Sequence, residues 1–136
     1  MVNVKQSNPV ETLLGQLSDQ PKGPLVHCRL CNNPITVQGA AIDIGLQHQH
    51  RFTNPNGITY SIRCFNSAPG CNISGMPTAE YSWFGGYQWQ YASCGHCDQH
   101  LGWYYLSSHW QGGHQRSFFG LIPDRLFEDD SSNRQQ

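Results

Sequence analysis

Two cysteine pairs and three tryptophans are the residues of this chain best suited to chemistry. The pairs are Cys28-Arg29-Leu30-Cys31 and Cys94-Gly95-His96-Cys97; the tryptophans are Trp83, Trp89 and Trp103. A CxxC turn presents two thiolates to one ion, and two such turns complete the tetrahedral shell of a structural Zn²⁺. Four thiolates close that shell, so the metal would hold structure and not activate water. The competing uses are disulfides and thioredoxin-like redox chemistry. Neither pair sits in a βαβ pattern, and no secretion signal accompanies them. One zinc per chain is therefore expected on Cys28, Cys31, Cys94 and Cys97, pinning two segments far apart in sequence.

The remaining cysteines, Cys64 and Cys71, read as buried thiols, because no helix N-terminus or cationic cluster adjoins either one. His27 and His96 flank or lie within the knuckles, where a histidine ligand is unnecessary. His100 reads as a local hydrogen-bonding residue. His48 and His50, alternating on a strand without a third ligand nearby, read as surface histidines.

The tryptophans lie in YSWFGGYQWQYASCGHCDQHLGWYY, residues 81–105, which also carries the second CxxC. Side chains repeat every two residues along a strand. Tyr87, Trp89 and Tyr91 are thus expected on one face of one strand, and Leu101, Trp103 and Tyr105 on one face of another. Phe84-Gly85-Gly86 reads as a tight turn that glycine permits. Three indoles gathered by a turn and a metal knuckle suggest a box more than a core, since a core tryptophan usually stands singly within a strand.

The elements that must position these residues are mostly strands. Val10, Leu13, Leu14 and Leu17 make one helical stripe, with Asn8 and Pro9 suited to its start, so residues 1–24 read as an appendage with a short helix. Pro21-Lys22-Gly23-Pro24 then breaks the chain. From Leu25 the pattern is β, with short apolar runs over 35–37 and 40–46. Asn54-Pro55-Asn56-Gly57 is a turn signal. Ile58, Tyr60, Ile62 and Cys64 alternate as a half-buried strand. Residues 65–79 read as loop-rich, with Pro69-Gly70, Gly75 and Pro77, and Ser117–Ile122 as a last strand. The expected body is 25–127, and the polar stretch 128–136 reads as a disordered tail.

Bulk composition agrees with a β-rich single domain. The 136 residues are 38% hydrophobic and only 12% charged, with a net charge of −1. Eight lysines and arginines give no basic footprint for nucleic acid. No apolar run approaches the ~18–20 residues that span a bilayer, and no signal peptide is visible, so a cytoplasmic location is expected.

Taken together, the two CxxC units, YSWFGGYQW at 81–89 and HLGWYY at 100–105 resemble the cereblon-type thalidomide-binding (CULT) domain, over roughly residues 25–125. The resemblance implies an all-β fold in which two antiparallel sheets are pinned by zinc, the β-tent. It implies a pocket for cyclic imides and related rings: thalidomide-type glutarimides, uracil-like rings and C-terminal cyclic imides of proteins. Trp83, Trp89 and Trp103 become the cage walls and Tyr105 its floor. Asn54 falls in the loop that covers the ligand, Tyr60 on a flanking wall, and Tyr81 and Ser82 immediately before the first cage tryptophan. The family has a histidine where Tyr81 stands, and Gly85 replaces a proline. Larger family members carry a further domain that joins a ubiquitin ligase; a ubiquitin role is not expected from these residues, which look like a single-domain, bacterial-type relative.

An imide offers acceptor, donor, acceptor along one edge, and backbone groups on either side of Ser82 can meet it. Leaving such a group buried without a partner costs roughly 1–3 kcal/mol, so these bonds select for the ring. A second binding reading is a cation cage for methylated ammonium groups, with Glu80 the only carboxylate close in sequence. The enzyme reading is a methionine sulfoxide reductase of the B type, whose second zinc knuckle CGHCDQHLGW at 94–103 resembles. That family's nucleophilic cysteine lies downstream of this knuckle. No cysteine follows Cys97, and Cys64 is in the wrong chain order, so a non-enzymatic binding module is expected.

Overall fold

Alternating apolar side chains and frequent turn residues fold the chain into strands, as seen in a computed structural model that describes residues 22–107 and 116–129. The described residues form two antiparallel sheets. The smaller sheet has the order β2-β1-β9, from β1 (Leu25–Cys28), β2 (Pro34–Val37) and β9 (Leu126–Glu128). The larger has the order β3-β4-β8-β7-β6-β5, from β3 (Gln49–Thr53), β4 (Thr59–Phe65), β5 (Cys71–Thr78), β6 (Tyr87–Cys94), β7 (His100–Ser107) and β8 (Ser117–Leu121). This is the two-sheet architecture expected of a β-tent. Two 3₁₀ turns, Gln38–Ala40 and Pro123–Arg125, lead out of β2 and into β9. The expected N-terminal helix lies outside the described residues. Among those residues no helix is long and apolar enough to cross a membrane.

The six-stranded sheet has two faces with separate cores. On one face Phe65, Ala92, Leu101, Phe119 and Leu121 pack with Val26, Ile35, Val37 and Leu126 of the small sheet. On the other, Ile62, Cys64, Tyr105 and Phe118 pack beneath Phe84, which the 79–86 loop folds down onto them. The ring of Phe84 meets those of Tyr105 and Phe118 edge-on at 4.8 and 5.0 Å. Alternation along β4 explains the division: Ile62 and Cys64 point to the second core and Phe65 to the first. Arg63, between them, makes an ion pair with Glu128 of β9 and so ties the sheets together. Gln38 Nε2 donates to the same carboxylate at 2.7 Å.

Four expectations are corrected. Residues 71–78, read as loop because of Gly75 and Pro77, are the edge strand β5. An edge strand tolerates both residues where its outer hydrogen bonds are unused, and the register breaks between Ser74 and Thr78. Within the apolar stretch 40–46, the chain makes only a 3₁₀ end and isolated bridges. Glu128, read as the start of a tail, ends β9, and Asp129 N–H donates to Leu25 O at 3.0 Å, because charged partners on the body hold this segment. His48 and His50 are half-buried, not surface residues. His48 accepts from Arg63 Nε through Nε2 at 3.0 Å, so its Nδ1 donates to Ile42 O; the His50 ring stacks on Phe52 at 5.7 Å.

Candidate metal centre and aromatic cavity

The two CxxC turns close against each other where the sheets meet. All four cysteine sulfurs lie within 4.8 Å of one another, with Cys28–Cys97 at 3.7 Å and Cys31–Cys94 at 3.6 Å. At ~2.3 Å per Zn–S bond, a tetrahedron places neighbouring sulfurs about 3.8 Å apart, so the donor set fits that ion. Each turn is closed by its own backbone: Asn32 N–H donates to Cys28 O at 2.8 Å, and Asp98 N–H to Cys94 O at 3.0 Å. Asn32 and Asp98 take the left-handed conformation that such turns demand, with φ of 69° each. Around Cys94 Sγ stand the N–H groups of His96 at 3.3 Å and Cys97 at 3.5 Å and the Asn33 amide at 3.7 Å. Burial pushes the Cys94 thiol up, but these amides and the neighbouring thiols outweigh it and hold it below its ordinary value. Burial pushes the Cys28 and Cys31 thiols up, Cys31 to about 12, so Cys94 is the sulfur this environment favours as thiolate, and a cation at the junction of the sheets would have to draw the protons from the others. Cys71 pairs with Cys94 across the strands and is half-buried against the same core.

The opposite face carries a cavity of about 300 Å³. Trp83, Trp89 and Trp103 line it together with Tyr60, Tyr81, Tyr105 and Asn54. Strand register brings them there. β6 and β7 pair Trp89 with Tyr105 and Tyr91 with Trp103, so alternate rings from both strands share one face. Trp103 meets Trp83 edge-on at 4.9 Å and Tyr60 edge-on at 5.3 Å. Trp83 is backed by Phe52, stacked at 5.1 Å with planes 11° apart. The Trp89 indole N–H donates to Glu80 O at 2.8 Å, which pins that wall to the 79–86 loop. Tyr105 is the floor, 2% exposed and stacked on Phe118. Burial pushes its hydroxyl pKa up, so the floor is a neutral phenol. Gly120 keeps space beneath it: a Cβ there would meet Ile62 at 2.7 Å and the Tyr105 ring at 3.1 Å.

The rim is polar backbone. Tyr81 is 66% exposed and has φ of 62°, an uncommon conformation for a tyrosine, which turns the chain sharply before Trp83. Ser82 N–H donates to Ala79 O at 3.1 Å, and its hydroxyl donates to Phe84 O at 3.0 Å; both groups build the loop. On either side of Ser82, the Tyr81 carbonyl and the Trp83 N–H have no hydrogen-bond partner among the described residues. Ser82 itself lines a shallower groove next to the cavity, shared with Thr53, Asn54, Pro55, Tyr81 and Trp83. Asn54 Oδ1 accepts from Asn56 N–H and Ile58 N–H, both at 2.9 Å, so this side chain shapes the β3–β4 turn where it borders the cavity.

One reading of the strands is changed. Leu101 does not share a face with Trp103 and Tyr105: it is fully buried in the inter-sheet core. The register shifts between Ala92 and Ser93, a bulge that turns Leu101 over. Gly102 follows because a Cβ there would lie 2.1 Å from Gly120 O. The same bulge delivers His100 to the cavity, where its ring meets Tyr91 at 5.6 Å and Trp103 at 5.0 Å, edge-on to both. Tyr91 lines the cavity on the face that alternation gives it with Trp89, whereas His100 and Pro55 are lining residues that strand alternation alone misses; an unbroken period of two puts His100 on the wrong side. Glu80 is exposed and does not line the cavity.

No family model matches the chain. Curated relatives named cereblon do. It is 28% identical over 125 residues to the Gallus gallus protein, covering 90% of this chain and 28% of that one. It is 35% identical over 104 residues to the Drosophila melanogaster protein, covering 71% and 17%. Against the Danio rerio protein the identity is 26% over 102 residues, covering 74% and 24%. The chain thus spans between 17% and 28% of the length of these relatives.

Proposed function

The chain is a cereblon-type domain, and from that premise we propose that its aromatic cavity is a binding site for small, flat rings with an imide edge, held in shape by one structural zinc. The observation that carries this reading is the gathering of three indole walls in one cavity, two of whose lining residues, Tyr81 and Trp83, have a backbone carbonyl and N–H without a partner among the described residues. An imide N–H donates to the Tyr81 carbonyl, and one imide oxygen accepts from the Trp83 N–H. The aliphatic side of the ring then lies against Trp83, Trp89 and Trp103. A cavity of about 300 Å³ is at the lower end of the ~300–1,000 Å³ range of ligand sites, which suits a glutarimide or uracil-like ring, free or at the C-terminus of a protein chain. Tyr81 stands in place of the family histidine, so the bond to the second imide oxygen falls to other donors, of which the Asn54 amide is one in the lining.

In this reading Cys28, Cys31, Cys94 and Cys97 hold zinc and the cavity performs no reaction. Cys64, the thiol a reductase would need, is fully buried and its pKa is pushed up to about 12 by burial, then by Asp43. A methylammonium cage is disfavoured because no carboxylate lines the cavity among the described residues. Tryptophan emission during competition between glutarimide and tetramethylammonium separates the two binding readings. Glutarimide should shift the emission and tetramethylammonium should fail to displace it; displacement by tetramethylammonium would reverse the assignment.

A further inference from the structure

Among the cavity's walls, His100 is hydrogen-bonded to a charged side chain, that of Arg125. Its Nε2 lies 2.8 Å from Gly102 O, and Arg125 Nη1 lies 3.5 Å from its Nδ1 and 2.9 Å from its carbonyl oxygen. Gly102 O can only accept and a guanidinium can only donate. One tautomer satisfies both: the proton on Nε2 and the lone pair on Nδ1. Arg125 comes from the 3₁₀ turn Pro123–Arg125, and its backbone carbonyl accepts Arg29 N–H at 3.0 Å from the first knuckle. Its guanidinium also lies over the Tyr60 ring, 5.9 Å from the centroid. It therefore sits behind two lining residues at once without itself lining the cavity.

We propose that Arg125 is a positioning residue of the cavity, fixing His100 as a neutral, Nε2-protonated ring that stands as the wall between Tyr91 and Trp103. The inference rests on the ring-binding reading above. With both nitrogens engaged, His100 presents carbon to a bound ring and behaves as a fourth aromatic wall, not as a hydrogen-bonding or cationic one. The groups facing it are the Tyr91 ring from β6, Trp103 from β7 and Arg125 from the turn; neither ion pair among the described residues places a carboxylate on it. Burial lowers its pKa, and the positive charge of Arg125 lowers it further, against an opposing effect of the Gly102 bond. The purpose of such a wall is constancy: a ring site whose wall gained a proton would expel an uncharged ligand as pH fell.

The test is nitrogen NMR of the His100 side chain with uracil titrations, on the metal-loaded protein and its Arg125→Met and Arg125→Lys variants. Methionine replaces most of the arginine stem without the charge, so a merely packing role survives it. In the native protein the neutral His100 ring should show the Nε2–H tautomer alone and gain its second proton at lower pH than an ordinary histidine. Arg125→Met should raise the His100 titration midpoint and make uracil affinity fall up to tenfold from about pH 8 to about pH 5, the factor carried by one pKa unit of linkage. Arg125→Lys should recover part of both. A native Nδ1–H tautomer, or an Arg125→Met protein with native ring signals and unchanged pH dependence, would overturn the proposal. Should uracil fail to bind the native protein while His100 shows the expected tautomer, the ring-binding reading fails and the role of Arg125 in orienting His100 stands.

Discussion

The two faces of the six-stranded sheet use the same strands for opposite ends. On the face toward the small sheet, Phe65, Leu101 and Leu121 are fully buried and four thiols gather at the junction. On the other face, Trp83 and Trp89 are held by edge contacts and one indole hydrogen bond, yet remain only half-covered around a cavity. β7 supplies both: Leu101 and Tyr104 go to the closed face, His100, Trp103 and Tyr105 to the open one. A closed face stabilises the fold by excluding water completely. An open face with rigid rings leaves that last burial to a ligand. Stability and binding should therefore separate when the two faces are mutated.

The largest separation is expected at the cysteines. Structural zinc contributes on the order of 10 kcal/mol of binding energy available only to the folded body, comparable to the ~5–15 kcal/mol by which domains are stable. Cys97→Ser, or strong chelation, should abolish cooperative melting in circular dichroism, and intact native mass spectrometry should show one zinc per chain beforehand. Metal-free protein with an unchanged melting temperature would remove the closed face's defining feature.

Leu101→Ala and Trp89→Ala should then part company. Leu101→Ala should cost about 2–5 kcal/mol by leaving a cavity between the sheets, while uracil affinity under folding conditions stays near native. Trp89→Ala should weaken uracil by roughly 30-fold, about 2 kcal/mol, with a smaller loss in denaturant midpoint and no loss of zinc. Equal effects on both readouts from both variants would show one continuous core.

The relation between these two residues also marks the limit of what sequence pattern conveys. The two CxxC turns and the grouping of three tryptophans are local spacings, and they survive into the structure unchanged. Alternation misplaces Leu101 because a bulge adds one residue to one strand, and nothing in HLGWYY announces that except Gly102, whose missing Cβ admits Gly120 O. β5 was hidden because an edge strand exposed on both sides has no alternation to read. Arg125 was invisible because its partners, His100 and Tyr60, lie far away in the chain and meet only when the small sheet docks. The β9 pairing of Glu128 depends on Arg63 in the same way.

Acid should reach the open face through His100. The pKa of His100 is lowered in the folded protein, mainly by burial. Its contribution to stability is thus present above its unfolded pKa of ~6.5 and lost as pH falls below that value. Thermal melts of native protein should decline over that range more steeply than those of His100→Phe; identical slopes would mean that His100 does not titrate differently on unfolding. The smallest contrast is within the turn that carries the open face. Gly86 has φ of 86°, so Gly86→Ala should cost about 1–2 kcal/mol. A Cβ at Gly85 meets nothing within 4 Å, so Gly85→Ala should be neutral or stabilising by about 0.4–1 kcal/mol in the same melts.

The division of labour between the faces is tested most directly by calorimetric titration of the metal-loaded protein with glutarimide and with N-methylglutarimide. The Tyr81 carbonyl and Trp83 N–H should hold the unsubstituted ring with a Kd of micromolar order, about −8 kcal/mol, and the N-methylated ring should not bind, since it lacks the donor and adds bulk at the polar rim. Equal binding of the two would mean that the imide edge is not what the site reads, and binding of neither that the three tryptophans are core and that this face, like the other, serves only the fold.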